Sequence, residues 1–165
     1  MIFDLDNMAR LFRMADFPVV CANYDVSATV LKDLVKPYVV FERDGVKIGV
    51  LGLGCQLEGM VQANKCVGVV YNDPVTVANE VAAVLKEKEG CDVVVCLSHL
   101  GVQYDENQLI PKTRNIDVVL GGHSHTFMKG PKTLLNMDGK NVSLMHTGKS
   151  GIYVGQMDLT LEKKK

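Results

Sequence analysis

The chain has 165 residues, of which 47% are hydrophobic and 22% are charged, a composition typical of one globular domain. Its net charge of −1 excludes the strongly basic surface that attracts nucleic acids or anionic membranes. No apolar run approaches the ~20 residues of a membrane-spanning helix, and the first residues do not resemble a signal peptide. We therefore expect neither a nucleic acid nor a membrane as a partner.

The first half of the chain is predicted to form a helix, a short strand and a hairpin. In chain order, the expected elements are a helix at 5–15 with an apolar stripe, a buried strand at 17–22, and a β-hairpin of 38–41 and 46–53 around the type I′ turn signal Asp44-Gly45. Residues 54–70 favour no regular element.

The second half alternates helices and strands. A helix is expected to begin at Asp73-Pro74 and to end by Gly90, and an apolar strand follows at 92–97. A short helix from near Asp105, limited by Pro111, leads to a buried strand at 116–120. The last expected elements are a hairpin of 133–136 and 142–146 around Asp138-Gly139 and a half-exposed strand at 153–161. A strand, a helix and a strand in succession indicate a parallel unit. The sequence thus predicts an α/β fold with mainly parallel central strands and β-hairpins.

Three of the four histidines directly follow the two best candidates for parallel strands. His99 ends one strand, and His123 and His125 lie in a Gly-Gly-His-Ser-His-Thr segment after the other. Sites in open α/β sheets form beyond the carboxyl ends of the strands, and imidazole is a common ligand for zinc and similar metals. Either signal alone is weak, but together they favour a metal site. For His146, in the outer hairpin, we favour a structural role and expect its substitution to leave activity nearly unchanged.

Several segments also match the signature of a known family. Ser98-His99-Leu100-Gly101 and the Gly-Gly-His-Ser-His-Thr segment at 121–126 resemble the third and fourth blocks of calcineurin-like metallophosphoesterases. The strand at 17–23 and the hairpin at 36–53 resemble the "FPvvsAN" and "KPY…GvKIGviGl" segments of the 5′-nucleotidase and 2′,3′-cyclic phosphodiesterase branch, and the segments at 73–75 and 148–151 fall in register. The fold that this resemblance implies is half of a metallophosphatase-type α/β sandwich.

The resemblance implies metal-dependent hydrolysis of phosphate monoesters, with 5′-nucleotides as the expected substrates. Two divalent ions of the zinc or manganese class would perform it, His99 and His123 binding one ion and His125 the other. Ser98 and Ser124 are candidates for holding the histidine tautomers.

The family's Asp-x-His, Gly-Asp and Gly-Asn-His blocks do not occur in these 165 residues, and no catalytic residue is assigned. Residues 1–165 are therefore expected to be the C-terminal part of a catalytic domain, without the family's nucleotide-binding C-terminal domain. We expect this chain alone to bind one ion or none and to be inactive.

Other hypotheses remain open. The chain could be a non-catalytic α/β remnant or interaction module, or a protein that binds one metal ion through His99, His123 and His125 alone. The family implies export to the periplasm or the cell exterior, whereas five cysteines without a pairing pattern give no support for an oxidising compartment. Exposed sheet surface predicts either an oligomer or cover by the chain's own N-terminal segment.

Overall fold

A six-stranded sheet organises the part of the chain that the computed structural model describes, residues 4–161. The strands, in chain order, are β1 (Val19–Val20), β2 (Tyr24–Asp25), β3 (Val35–Lys36), β4 (Tyr38–Arg43), β5 (Val46–Leu53), β6 (Val70–Tyr71), β7 (Val93–Ser98), β8 (Val118–Gly121), β9 (Lys132–Leu135) and β10 (Asn141–His146). The main sheet has the order β4-β5-β7-β8-β10-β9, and β1-β3 and β2-β6 form two small two-stranded sheets.

The two longer helices, α1 (Leu5–Phe12) and α2 (Pro74–Glu87), each begin at a capping aspartate, Asp4 for α1 and Asp73 for α2. Shorter helical elements are a 3-10 turn at Ala63–Lys65 and a helical segment at 102–112 that runs as an α-turn (Val102–Tyr104), a π-helix (Asp105–Leu109) and a 3-10 turn (Ile110–Lys112). Asp73 caps α2 by accepting a hydrogen bond of 2.8 Å from the backbone N–H of Thr76. No helix within residues 4–161 is both long and apolar enough to cross a membrane.

The two predicted hairpins are confirmed and form the edges of the main sheet. β4 and β5 pair antiparallel through a turn in which Asp44 (φ 51°) and Gly45 (φ 78°) are both left-handed, as a type I′ turn requires. β9 and β10 form the second antiparallel pair at the other edge.

The centre of the sheet is parallel, which confirms the predicted α/β fold. Strands β5, β7, β8 and β10 pair in parallel, and their register aligns the final residues Leu53, Ser98, Gly121 and His146 in one row. The helix-covered face of the sheet packs against α2 and the helical segment at 102–112. Its buried core comprises Leu51, Leu53, Ala78, Ala82, Leu85, Cys91, Val94, Cys96, Leu109, Ile110, Ile116, Val119, Val142 and Leu144.

The opposite face, here called the open face, is less completely covered. Leu97 and Leu120 lie on it and are each 41% exposed. Met8 and Phe12 of α1 line a groove of about 690 Å³ that runs over this face to His99. The N-terminal segment therefore provides part of the cover.

Two predictions were wrong in detail. The helix expected from near Asp105 begins at Val102, and Pro111 lies inside its last 3-10 turn. The strand expected at 153–161 does not form: this segment pairs with no strand, although Met157 and Leu159 line a cavity with Val118 on the open face. Alternating hydrophobicity supplies no backbone hydrogen-bond partner, and without a partner a segment cannot join a sheet.

Candidate metal centre

The candidate site lies at the carboxyl edge of the parallel strands. Cys55, His99 and His123 each follow the aligned row of strand ends by one or two residues. Two backbone hydrogen bonds of 2.8 Å continue the ladder past the strands, from His99 N to the Leu53 carbonyl and from Gly122 N to the Ser98 carbonyl. Side chains from three loops are thereby brought to one place, as expected for an open α/β sheet.

The ligand atoms of these three side chains lie close together. The rings of His99 and His123 meet edge to face, with centroids 5.1 Å apart and planes at 69°. One ligand atom from each ring and the Cys55 sulfur all lie within 4.8 Å of one another. Bond lengths of ~2.0–2.3 Å in a tetrahedral zinc site place such atoms roughly 3.3–3.6 Å apart. Small side-chain rotations therefore close this group around one ion.

The group holds no carboxylate. Among residues 4–161, it is the one cluster of three or more histidine, cysteine, aspartate or glutamate side chains with this spacing, and neither Asp nor Glu belongs to it. Its residues fit a single zinc-class ion. For a pair of ions, the described residues provide no bridging anion.

His125 lies in the same loop but outside this group. Both His123 (φ 72°) and His125 (φ 56°) adopt left-handed backbone conformations, and Ser124 N donates to the Gly122 carbonyl at 2.9 Å. A left-handed non-glycine residue costs about 1–3 kcal/mol, and such residues cluster at functional sites. His125 is exposed, and its role as a ligand stays a prediction.

The surroundings of His99 favour its neutral imidazole. Partial burial lowers the pKa of His99, and electrostatic repulsion from the nearby rings of His123 and His125 lowers it further. A neutral imidazole has a free lone pair, which is the form that binds a metal ion. Clustering thus favours the metal-binding form of this histidine.

The two serines expected to orient the histidines make other hydrogen bonds. Ser98 Oγ donates to Asp105 Oδ1 at 2.5 Å, whereas Ser124 Oγ accepts from Val102 N at 3.1 Å and lies 2.9 Å from Thr126 Oγ1. The expectation was wrong for Ser98 because successive side chains of a strand point to opposite faces. Ser98 faces the helix-covered side, and His99 follows on the other. Ser124 instead ties its loop to the start of the helical segment.

A buried polar chain lies behind the strand ends. His146 Nε2 donates to Asp105 Oδ2 at 2.9 Å, and Ser98 Oγ donates to the other carboxylate oxygen, Oδ1. His146 is 1% exposed and Asp105 0% exposed. A side chain at Gly121 would place its Cβ only 1.9 Å from His146 Nε2. His146 therefore has the structural role that the sequence predicted. Its buried hydrogen bond to Asp105 was not predicted.

Sequence reasoning also missed Cys55. The available signal was its position just after β5, since β5 neighbours the strand that leads to His99. The cysteines were interpreted through sequence spacing, and a site assembled from three separate strand ends has no such spacing.

Comparisons with known proteins agree with the motifs at this site. The chain is 32% identical over 132 residues to the 5′-nucleotidase of Vibrio cholerae, covering 71% of this chain and 24% of that protein. It is 27% identical over 170 residues to the trifunctional nucleotide phosphoesterase protein YfkN of Bacillus subtilis, covering 93% of this chain and 11% of that protein. The crystal structure of a 5′-nucleotidase precursor from Thermus thermophilus superposes with a TM-score of 0.77 at 30% identity, covering 84% of this chain and 29% of that one. No family model matches the sequence.

These similarities and the histidine blocks together establish the family. The chain belongs to the calcineurin-like metallophosphoesterases of the 5′-nucleotidase type. It spans less than a third of the length of the curated relatives named above.

Proposed function

We propose that this chain forms the C-terminal part of the catalytic domain of a larger 5′-nucleotidase, which hydrolyses phosphate monoesters of nucleotides with divalent metal ions. The observation that carries the proposal is the meeting of His99 and His123 at adjacent strand ends, with ring centroids 5.1 Å apart. Family membership supports the reaction class, and the names of the relatives support the nucleotide substrate.

In this proposal each histidine has a distinct task. His99 and His123 would hold one ion, and His125 would contribute to the second. When bound, the ions supply positive charge for the phosphoryl oxygens and lower the pKa of the attacking water. Of the zinc or manganese class expected for these ions, zinc is the one that imidazole ligands suit. The lowered pKa of His99 favours the neutral form, whose nitrogen can bind a metal ion.

The 165-residue chain by itself offers an incomplete site. Neutral imidazoles cannot offset the charge of two ions, which repel strongly when no anion lies between them. Because no carboxylate joins the group in the described residues, we expect at most one zinc-class ion per chain and hydrolysis near background. We further propose that the whole enzyme is exported, since the Thermus relative is described as a precursor.

A second candidate function is a non-catalytic metal-binding or interaction module. The carboxylate-free composition of the cluster favours it. The two functions predict different results when the missing family blocks are fused to this chain. An active fusion supports the enzyme, whereas an inactive fusion supports the module.

The experiment compares AMP hydrolysis by the 165-residue chain with hydrolysis by a fusion that supplies the upstream half of a related 5′-nucleotidase domain. We expect the chain to be near background and the fusion to show metal-dependent turnover. His123→Ala should remove most of that turnover, whereas Asn64→Ala, an exposed residue of the 3-10 turn, should not. Robust metal-dependent turnover by the chain alone would contradict the incomplete site.

A further inference from the structure

We propose that Cys55 is a third protein ligand, so that the chain binds one zinc-class ion between the Cys55 sulfur and the rings of His99 and His123. This inference rests on the metal-binding role proposed above for the two histidines. It adds a ligand that the histidine blocks do not contain and a basis for metal selectivity.

The first support is geometric. The three candidate ligand atoms already lie within 4.8 Å of one another, and each comes from a different strand end. Three protein ligands that leave a fourth position open are the arrangement of catalytic zinc sites. Cys55 and His123 are half-buried, whereas His99 is exposed, so the group lies at the surface with one ring open to solvent.

The second support is that the backbone before Cys55 is firmly held. Asn23 is fully buried, and its amide makes two hydrogen bonds to Gly54: Gly54 N donates to Oδ1 at 2.7 Å, and Nδ2 donates to the Gly54 carbonyl at 2.9 Å. A paired amide of this kind fixes both the position and the direction of the chain. The hydrogen bonds to Gly54 therefore hold the backbone that carries the Cys55 side chain.

Tyr24 completes this support. Its hydroxyl donates a short hydrogen bond to the Cys55 carbonyl. Its ring packs directly on Gly54, where an added Cβ would lie 2.3 Å from the ring carbon Cζ. Asn23 and Tyr24 thus hold Gly54 and Cys55 from one side. Such positioning from a surrounding layer is what a metal site requires of its ligands.

A sulfur ligand changes the chemistry of the site. Cysteine binds as the thiolate, so the thiol releases one proton to water when the ion enters. The thiolate charge offsets part of the charge of the ion, which two neutral imidazoles cannot do. Soft sulfur favours zinc and cobalt over magnesium and manganese. The chain is therefore expected to bind one zinc-class ion and to discriminate against magnesium.

Cobalt is a direct probe, because a cobalt–thiolate bond adds a charge-transfer absorption in the near ultraviolet. Metal-free, reduced 165-residue chain would be titrated with cobalt(II) alone and compared with Cys55→Ser, His123→Ala and Cys66→Ser. Cys21→Ser is included because Cys21 lines the same groove as His99.

Cys66 is the matched control, since its thiol donates to the Gln62 and Ala63 carbonyls and belongs to no cluster of potential metal ligands within residues 4–161. Circular dichroism checks that each variant is folded.

We expect one cobalt per wild-type chain, with the sulfur band. Cys55→Ser should lose the band and bind cobalt at least about 10–100-fold more weakly, as metal sites do when supporting groups are removed. His123→Ala should also weaken binding, and Cys66→Ser should match wild type. Excess magnesium should not displace the cobalt.

Three results would overturn the assignment. Unchanged band and affinity in Cys55→Ser, with loss in His123→Ala, would remove Cys55 as a ligand and leave the histidine site standing. Loss of the band in Cys21→Ser, with its retention in Cys55→Ser, would assign the sulfur to Cys21. Absence of cobalt binding by the folded wild-type chain would refute the three-ligand site, whereas the histidine site of the whole enzyme is tested separately by turnover of the fusion.

Discussion

Replacing His146 with alanine removes the partner of a buried carboxylate. Asp105 is 0% exposed and is held by Ser98 and His146. In His146→Ala, one carboxylate oxygen loses its donor, and the space of an imidazole ring is left beside Gly121. The variant therefore combines an unpaired buried group with a cavity, and both terms destabilise the fold.

The expected magnitude follows from these two terms. Leaving a buried acceptor without its donor costs about 1–3 kcal/mol, and the cavity left by the imidazole ring adds roughly 2 kcal/mol, which together give about 3–5 kcal/mol. For a domain of this size, each 1 kcal/mol lowers the melting temperature by about 2–4 °C. The variant should therefore melt roughly 6–20 °C below wild type. The loss of about 3–5 kcal/mol is a large part of the ~5–15 kcal/mol that typically stabilises a domain.

The assay is thermal and urea unfolding followed by circular dichroism, with His125→Ala as the matched control. His125 is exposed, so its substitution should change stability by no more than ~0.5 kcal/mol. His146→Gln, whose side-chain amide can still donate to Asp105, should lie between the two. If His146→Ala unfolds like His125→Ala, the buried hydrogen bond does not contribute as argued. The sequence-based expectation that substitution of His146 leaves activity nearly unchanged concerns turnover and is not tested by these melts.

Three further outcomes test the fold. Gly121→Ala should destabilise by about 1–3 kcal/mol in denaturant melts, because its Cβ would lie 1.9 Å from His146 Nε2, whereas Gly130→Ala, with no atom within 4 Å of its Cβ, should not. Asp73→Ala should cost about 0.5–2 kcal/mol by removing the cap of α2, and an unchanged melting curve would refute that cap. Light scattering should find the chain as a dimer or larger, because of the apolar open face, and a Leu97→Glu/Leu120→Glu variant should be monomeric; a wild-type monomer would contradict this.

Local chemistry made much of the fold predictable. The turn at Asp44-Gly45 needs two left-handed residues, and the start of α2 needs a cap followed by proline; both signals lie within a few residues of the element they specify. The apolar runs at β7 and β8 identified central strands, because a strand covered on both faces has no polar side. The expected position of His99 and His123 beyond those strands followed from the same pattern.

The contacts between distant segments were decided by the tertiary structure alone. Cys55 joins the histidines because β5 lies beside β7. His146 reaches Asp105 because the helical segment at 102–112 contacts the last residues of β7 and β10. The segment at 153–161 has the alternation of a strand but no neighbour to pair with. The amino-acid pattern specifies the conformation of each segment, whereas the order of strands in the sheet determines which side chains meet. Hydrogen-bond partners and metal ligands depend on that order, because they act only over distances of a few ångströms.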